Sequence, residues 1–525
     1  MLSKPTLAAL VAGLAVAPGL SAQDAIPQTG NAWYTEAQAV LDARVARRPN
    51  TDTAKNVILF VADGNGVGTN YATRLWQGQQ AGNHGDEQIM AKEALPYLAL
   101  VKTYNVNAQT PDSAGTATAM FSGVKTKAGV IGVDETVNRG DCSQVEAGKV
   151  TPFTKIMSDA GKSTGIVSTA RVTHATPASA YAHSADRGFE DDSELPEGCE
   201  VPDIALQMVD VVNSGMVDLV MGGGRRHFLP EDVTDDEGNN GRRTDGRNLI
   251  QEMENAGVRY VWNDATFKAL DRSSNEPIVG LFESSHMQYE HDRTDEPSLA
   301  QMVETAINVL SGNDKGFFLA VEGGRVDHGN HDGNLHRTVT DGVAFDDAVA
   351  RAMEMTDPAD TLVIVTADHE HAIAFMGYCG RGTPITGLCY GIDDAGLEHT
   401  DELQLGDDGQ PYAVVGFLNG PGSIVHKEAV AKGETPLAGL DVTREINEDT
   451  GAEETFQWMG SRGAVTQEQA TDPDYLQQAL VPKSSESHSG EDVAAYASGP
   501  WAHLVDGTIE QNYLFHVMLK ATSGN

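Results

Sequence analysis

Basic residues are scarce in this sequence: 36 Lys and Arg stand against 76 Asp and Glu, a formal charge of −40 over 525 residues. No basic run is longer than Arg47-Arg48 or Arg242-Arg243. The neutralisation of backbone phosphates on which nucleic-acid binding rests is therefore missing, and an anionic membrane surface is disfavoured for the same reason. Cysteine is confined to four positions without a CxxC pair, which leaves thiolate metal ligation unsupported. Beyond the first 22 residues no apolar stretch reaches the roughly 20 residues of a membrane-spanning helix, and there is no internal repeat or low-complexity tract. Disorder is excluded by what is abundant: 40% of residues are hydrophobic, and apolar runs such as 56–62 recur. The length permits about three domains, or equally one large α/β core with insertions.

Residues 1–22 read as a secretory signal peptide. Lys4 supplies a short positive region, residues 7–17 form an apolar run too short for a span, and Leu20-Ser21-Ala22 offers a small residue at a cleavage point near Ala22. Pro18 and Gly19 break any helix where a signal would end. The protein is thus expected to be exported, to the periplasm or the medium, where an even number of cysteines implies two disulfides. Four cysteines allow three pairings. Cys379 and Cys389 close a short Gly-rich loop, whereas Cys142 and Cys199 lie in two polar, acidic segments, which favours those two pairs.

Residues 32–48 carry Ala37, Val40, Leu41, Ala43 and Val45 near helical spacing, with Pro49 as terminator, and predict an amphipathic helix able to pack on a partner subunit. The pattern then changes. Segments 56–62, 165–168, 217–221, 316–321 and 361–366 are short, apolar and β-branched, as strands buried on both faces should be. Helical patterns at 297–310 and 338–355 lie between some of them. This alternation predicts an α/β fold, a large mostly parallel central sheet with helices on both faces. Residues 23–54 form the lead and N-terminal helix, and 55–371 the α/β core. Residues 372–486, rich in Gly, Asp, Glu and Thr, read as a crown-like or loop insertion folding on its own or against a partner. Residues 487–525 return to apolar patterning and should rejoin the core.

The core strands end in groups that bind metals or phosphate. Asp63, Glu322 and Asp368-His369 each follow a strand, and loops at the carboxyl ends of strands face a common crevice in open α/β sheets. One Asp after a strand is usually a turn or cap residue; three with neighbouring histidines suggest one site. In Glu322-Gly-Gly-Arg-Val-Asp327-His328-Gly-Asn-His331 the spacing of Asp327 and His331 places both on one face of a helical turn, and carboxylate with imidazole suits Zn²⁺. Asp368-His369-Glu370-His371 and His488 add further ligands. Asp112-Ser113 before a run of small residues reads as a helix start, where unpaired N–H groups favour an oxyanion or phosphate at Ser113.

These residues resemble the alkaline phosphatase family. Asp112-Ser113-Ala114-Gly115-Thr116-Ala117-Thr118 is similar to its active-site signature, with Thr110 where Ile or Val is usual. Val321 to His331, Thr366-Ala367-Asp368-His369 and His488-Ser-Gly-Glu-Asp-Val493 match further motifs in family order, as do Arg171 to Pro177 and Ala182 to Arg187. The resemblance runs from near Ala32 to Val517 and says little about 372–486.

It implies metal-dependent hydrolysis of phosphate monoesters to alcohol and inorganic phosphate through a phosphoserine, with broad substrate range and an alkaline optimum. Asp327, His331 and His488 would hold one Zn²⁺; Asp63, Asp368 and His369, with the Ser113 oxygen, a second; Asp63, Thr176 and Glu322 one Mg²⁺, an oxygen set suited to a hard ion. Arg187 would grip phosphate with its planar fork. His174 and His328 match the animal-type pattern rather than the enteric bacterial one, and Asp112 stands beside the nucleophile. A homodimer is expected. The Cys-x-Pro-x-Arg motif of a sulfatase is absent. Acidic runs at 190–192, 231–232 and 235–237 are expected on the surface, since unpaired carboxylates are costly to bury, and point to adaptation to saline surroundings.

Overall fold

The computed structural model describes residues 26–274, 276–393, 399–436, 439, 442–447 and 451–523; the expected signal peptide lies outside them. Two compact units divide the chain, residues 1–49 and 50–525. In the first, helix Ala32–Ala46 is capped by Asn31, whose side chain accepts from Trp33 N–H. It stops two residues short of the expected Arg48, because the residue before Pro49 is steered away from helical backbone and Arg47 is already extended. None of its residues is buried.

The second unit is built on a ten-stranded sheet. Its order is Gly507–Glu510, Tyr97–Lys102, Val493–Ser498, Thr361–Ala367, Asn56–Ala62, Phe317–Gly323, Ser163–Arg171, Leu219–Gly223, Ile278–Leu281, Arg259–Val261. Val493–Ser498 runs antiparallel to both neighbours and the other pairings are parallel. The five expected strands are all present, Asn56–Ala62 with the expected bounds and the other four lengthened or shifted by a few residues. In Asn56–Ala62 alternate side chains enter opposite cores: Val57, Leu59 and Val61 pack with helices such as Ser113–Ser122 and Tyr513–Ser523, and Ile58, Phe60 and Ala62 with Leu299–Leu310 and Leu335–Met355. Burial on both faces explains why this strand is apolar throughout rather than alternating.

The C-terminal segment contributes strands Val493–Ser498 and Gly507–Glu510 to the sheet. Segment 372–486 does not stand alone, however. Ile385, Cys389, Val414 and Val415 share a buried cluster with Ala72 and Leu75 of helix Val67–Gln80 and with Leu335 and Val339. Apolar side chains too few for a separate core are covered by the helices beneath. The disulfides are Cys142–Cys199 and Cys379–Cys389.

Not every acidic run lies on the surface. Glu190 and Asp191 are buried, because each has a partner: Arg171 forks onto Glu190 at 2.8 and 2.6 Å, and His227 Nδ1 lies 2.6 Å from Asp191 Oδ2. Burial raises the Glu190 pKa, but His227 and Arg171 outweigh it and bring it down to about 2. Pairing removes the cost on which the surface expectation rested.

A buried amine is less well served. Lys92 is 2% exposed and its Nζ meets no hydrogen-bond partner among the described residues. Burial lowers its pKa to about 8, against the opposing pull of Asp346 and Glu93. The charged form is thus disfavoured in the fold. The resulting cost is absent above the ordinary lysine value, grows as pH falls toward 8 and is constant below. Lys92→Met should stabilise the protein at pH 7, by up to about 3 kcal/mol, and the gain should vanish near pH 10.5. Denaturant unfolding of both proteins at the two pH values checks this; equal midpoints at pH 7 would show that the amine has found a partner.

Candidate active site and metal centre

Three adjacent strands deliver the carboxylates. Val61 pairs with Glu322 on one side and with Thr366 on the other, and Ala62 lies level with Ala367. Asp63, Glu322 and Asp368 therefore emerge together at the carboxyl edge of the sheet, at most 3% exposed. Gly64 makes the exit possible: it takes φ +67°, and a Cβ there would lie 2.4 Å from His371 Nε2.

Ser113 opens helix Ser113–Ser122. Asp112 caps that helix by accepting from Ala114 N–H at 3.0 Å. Ser113 Oγ lies 3.4 Å from Asp63 Oδ1 and 3.1 Å from His369 Nε2. The same His369 nitrogen is 3.2 Å from Asp368 Oδ2. Asp368 is fixed by the N–H groups of Gly64 and His369 and by Thr116 Oγ1, at 3.0, 2.9 and 3.1 Å.

A second cluster surrounds Asp327 on helix Arg325–His331. His331 Nδ1 lies 2.6 Å from the Glu486 carbonyl and His488 Nδ1 2.9 Å from the Pro111 carbonyl. Each ring thereby commits its N–H outward and turns the Nε2 lone pair inward. The two lone pairs face each other at 3.1 Å, both 3.4 Å from Asp327 Oδ1. Three acceptors so placed repel one another unless a cation stands among them. His371 approaches the same Asp327 oxygen at 2.8 Å, and its Nδ1 lies 2.5 Å from Glu486 Oε2. Burial lowers the His371 pKa, but the two carboxylates prevail and raise it to about 10.

A third group is all oxygen. Asp63 Oδ2, Thr176 Oγ1 and Glu322 Oε1 are buried without a hydrogen-bond partner among the described residues; the other Glu322 oxygen accepts from Ser168 Oγ. Burial, and then the neighbouring carboxylates, push Asp63 well above the ordinary range, and Glu322 rises to about 7. Divalent cations would reverse these shifts by supplying the missing counter-charge. Mixed carboxylate and imidazole donors in two groups, and orphaned hard oxygens in the third, fit two zinc-like ions and one magnesium-like ion.

Arg187 borders this cage. Its Nη1 donates to Asp112 Oδ1 at 2.6 Å and its Nη2 lies 2.8 Å from His174 Nε2. Asp112 Oδ2 also accepts from Gly129 N–H at 2.8 Å. One carboxylate thus caps the helix that Ser113 opens and holds the guanidinium.

A family model described as alkaline phosphatase matches residues 54–523. The tissue-nonspecific alkaline phosphatase of Rattus norvegicus is 40% identical over 508 residues, covering 93% of this chain and 88% of its own. An alkaline phosphatase of Gadus morhua is 39% identical over 520 residues, 96% and 98% of the two chains. The chain belongs to the alkaline phosphatase family. Solved alkaline phosphatases share the fold: that of the Antarctic bacterium TAB5 aligns with a TM-score of 0.58, covering 90% of this chain and 99% of that one at 22% identity. The Thermus thermophilus enzyme gives 0.60 over 92% and 94%, also at 22% identity. A variant of the TAB5 enzyme holds Mg in its M3 site. The protein is a metal-dependent hydrolase of phosphate monoesters.

The structure brings Ser113, Asp63, Asp368, His369, Glu322 and His174 into one cage bordered by Arg187, and Asp327, His331 and His488 into the group beside it. Several others were not singled out. His371 was legible only as part of Asp368-His369-Glu370-His371; it pairs with His488 across two short antiparallel strands, and the rings meet edge-on with centroids 5.1 Å apart. Glu486 gave no signal, being one acid among many at the end of an irregular segment, yet it is fully buried behind His371. His286, in the loop after strand Ile278–Leu281, sits against His328 with ring centroids 4.0 Å apart.

Proposed function

We propose that hydrolysis proceeds through a phosphorylated Ser113, with Zn²⁺ held by Asp327, His331 and His488, a second Zn²⁺ by Asp63, Asp368 and His369, and Mg²⁺ by Asp63, Thr176 and Glu322. The observation that carries this is Ser113 Oγ at a helix N-terminus, within 3.4 Å of Asp63 and His369 inside a buried carboxylate cage. Cations held there supply the positive field a phosphate dianion needs and lower the pKa of oxygens they bind. Arg187 holds two phosphate oxygens with its planar fork. Ser113 Oγ attacks phosphorus in line, the new P–O bond forming as the ester P–O bond breaks and the alcohol leaves. Water then attacks from the vacated side, releasing inorganic phosphate and restoring the serine. Few groups would read the alcohol, which supports a broad substrate range. An alkaline optimum follows if phosphate leaves more readily as pH rises. Hydrolysis of a chromogenic monoester, beside a diester and a sulfate ester, with metal counted per active chain, tests the assignment; a preference for either rival ester, or full activity without zinc, would overturn it.

Arg187→Lys should weaken inorganic phosphate binding roughly 10- to 100-fold, the worth of one lost charge-assisted hydrogen bond. Competitive inhibition by phosphate reads this directly, and an unchanged inhibition constant would remove Arg187 from the clamp.

Export to the periplasm or medium is supported by the two disulfides, and no described helix is long and apolar enough to cross a membrane. A homodimer is proposed, with the exposed apolar residues Val40, Leu41 and Val45 of helix Ala32–Ala46 as contacts. The charge of −40 repels itself over about 30 Å at 0.01 M salt but over only about 3 Å at 1 M. Thermal stability should therefore rise from low salt to molar NaCl at fixed Zn²⁺ and Mg²⁺. Flat or falling midpoints would show that the acidic surface is not tuned to saline surroundings.

A further inference from the structure

We propose that His174, His286 and His328 form a separate nitrogen site for a zinc-class transition-metal ion, beside the oxygen pocket of Asp63, Thr176 and Glu322. The rings come from three elements: His174 from the turn before helix Ala175–Ala178, His286 from the loop after strand Ile278–Leu281, and His328 from helix Arg325–His331. One nitrogen of each lies within 4.8 Å of the other two. Ring centroids are 4.0 Å apart for His286 and His328, 5.2 Å for His174 and His286, and 5.6 Å for His174 and His328.

His174 Nδ1 and His328 Nδ1 are buried without a hydrogen-bond partner among the described residues, a state that costs free energy unless a ligand satisfies it. His286 is poorly satisfied in a different way. Its Nδ1 lies 3.2 Å from the backbone N–H of Arg171, and its Nε2 meets Nη1 of the same residue. A neutral imidazole accepts at one nitrogen only, so one of these meetings sets donor against donor. The ring is therefore not locked, and rotation can turn a nitrogen toward its two neighbours. The Arg171 charge does not forbid a cation, since its Nε and Nη2 are forked onto Glu190 at 2.8 and 2.6 Å.

Three imidazoles make a set typical of open zinc sites, which leave a fourth position for water or another ligand. Zinc to nitrogen distances of about 2.0–2.1 Å require the rings to close in slightly from their present spacing. His174 also has a nitrogen within 4.8 Å of carboxylate oxygens of Asp63 and Glu322, whereas His286 belongs to the imidazole group alone. Since His174 Nε2 now faces Arg187 Nη2, a donor, ligation through either His174 nitrogen displaces that contact: Nε2 is taken by the ion, or it becomes an N–H.

The test uses zinc itself as probe. Full-length wild type and His286→Ala are equilibrated at the same micromolar free Zn²⁺ and millimolar Mg²⁺, and bound metal is counted per chain, with monoester hydrolysis as the check that the variant has folded. Wild type should retain one zinc more than the variant at equal magnesium. Anomalous diffraction from wild-type crystals at the zinc edge, which needs no variant, should place a peak among the three rings. Equal zinc contents in the two proteins would overturn the proposal, as would density without a peak among the rings.

Discussion

Ser113→Ala should leave the protein folded and lower its turnover by at least about 10³-fold, the scale on which removal of a nucleophile acts when binding groups survive. The fold should persist because the change deletes only one oxygen. Asp112 still caps the helix through Ala114 N–H, and the neighbouring residues from Ala114 to Phe121 are all buried. What disappears is the Oγ that faces Asp63 and His369, and with it the covalent route. Steady-state hydrolysis together with acid trapping of labelled phosphate reads both aspects. The variant should bind phosphate yet yield no stable phosphoprotein. Near-normal turnover in a folded variant would remove Ser113 as nucleophile.

His488→Ala should abolish activity by a different path. His488 stands far from Asp327 in sequence, yet its Nε2 completes the acceptor group with Asp327 Oδ1 and His331 Nε2. Its ring also stacks on His369 at 3.6 Å between centroids. Loss of an outer-shell partner typically weakens metal affinity about 10- to 100-fold. Loss of a direct ligand should cost more than about 100-fold and leave one tightly held zinc fewer per chain than in the wild type. Elemental analysis beside activity decides the matter, and a variant keeping the wild-type zinc content at full activity would remove His488 from the site. The two variants differ in a useful way. Ser113→Ala should keep its metals and lose the covalent step, whereas His488→Ala should lose metal first.

The structure separates what was visible in linear order from what was not. Apolar, β-branched runs such as 56–62 and 361–366 identify strands buried on both faces, because no solvated strand could afford them. The position of Asp63, Glu322 and Asp368 immediately after such runs then places them at one edge, since parallel strands share a carboxyl end. The i,i+4 spacing of Asp327 and His331 is likewise local, and Ser113 before small residues marks a helix start whatever surrounds it. These features depend on neighbours within a turn or a strand, which is the range over which sequence pattern dictates geometry.

Other features depend on residues that meet only after folding. Glu190 and Asp191 look like surface acids until Arg171 and His227 arrive to pair with them. Segment 372–486 looks self-contained until its few apolar residues are found packed against helices Val67–Gln80 and Leu335–Met355. Glu486 and His371 become partners across 115 residues, and three histidines from unconnected elements meet beside the oxygen pocket. The sequence by itself determined the fold class, the strand ends that carry carboxylates and the serine at a helix start. Tertiary structure alone decided which charges are neutralised, which rings present lone pairs and which nitrogens are left without partners, because pairing and desolvation depend on contacts the chain makes only once it is folded.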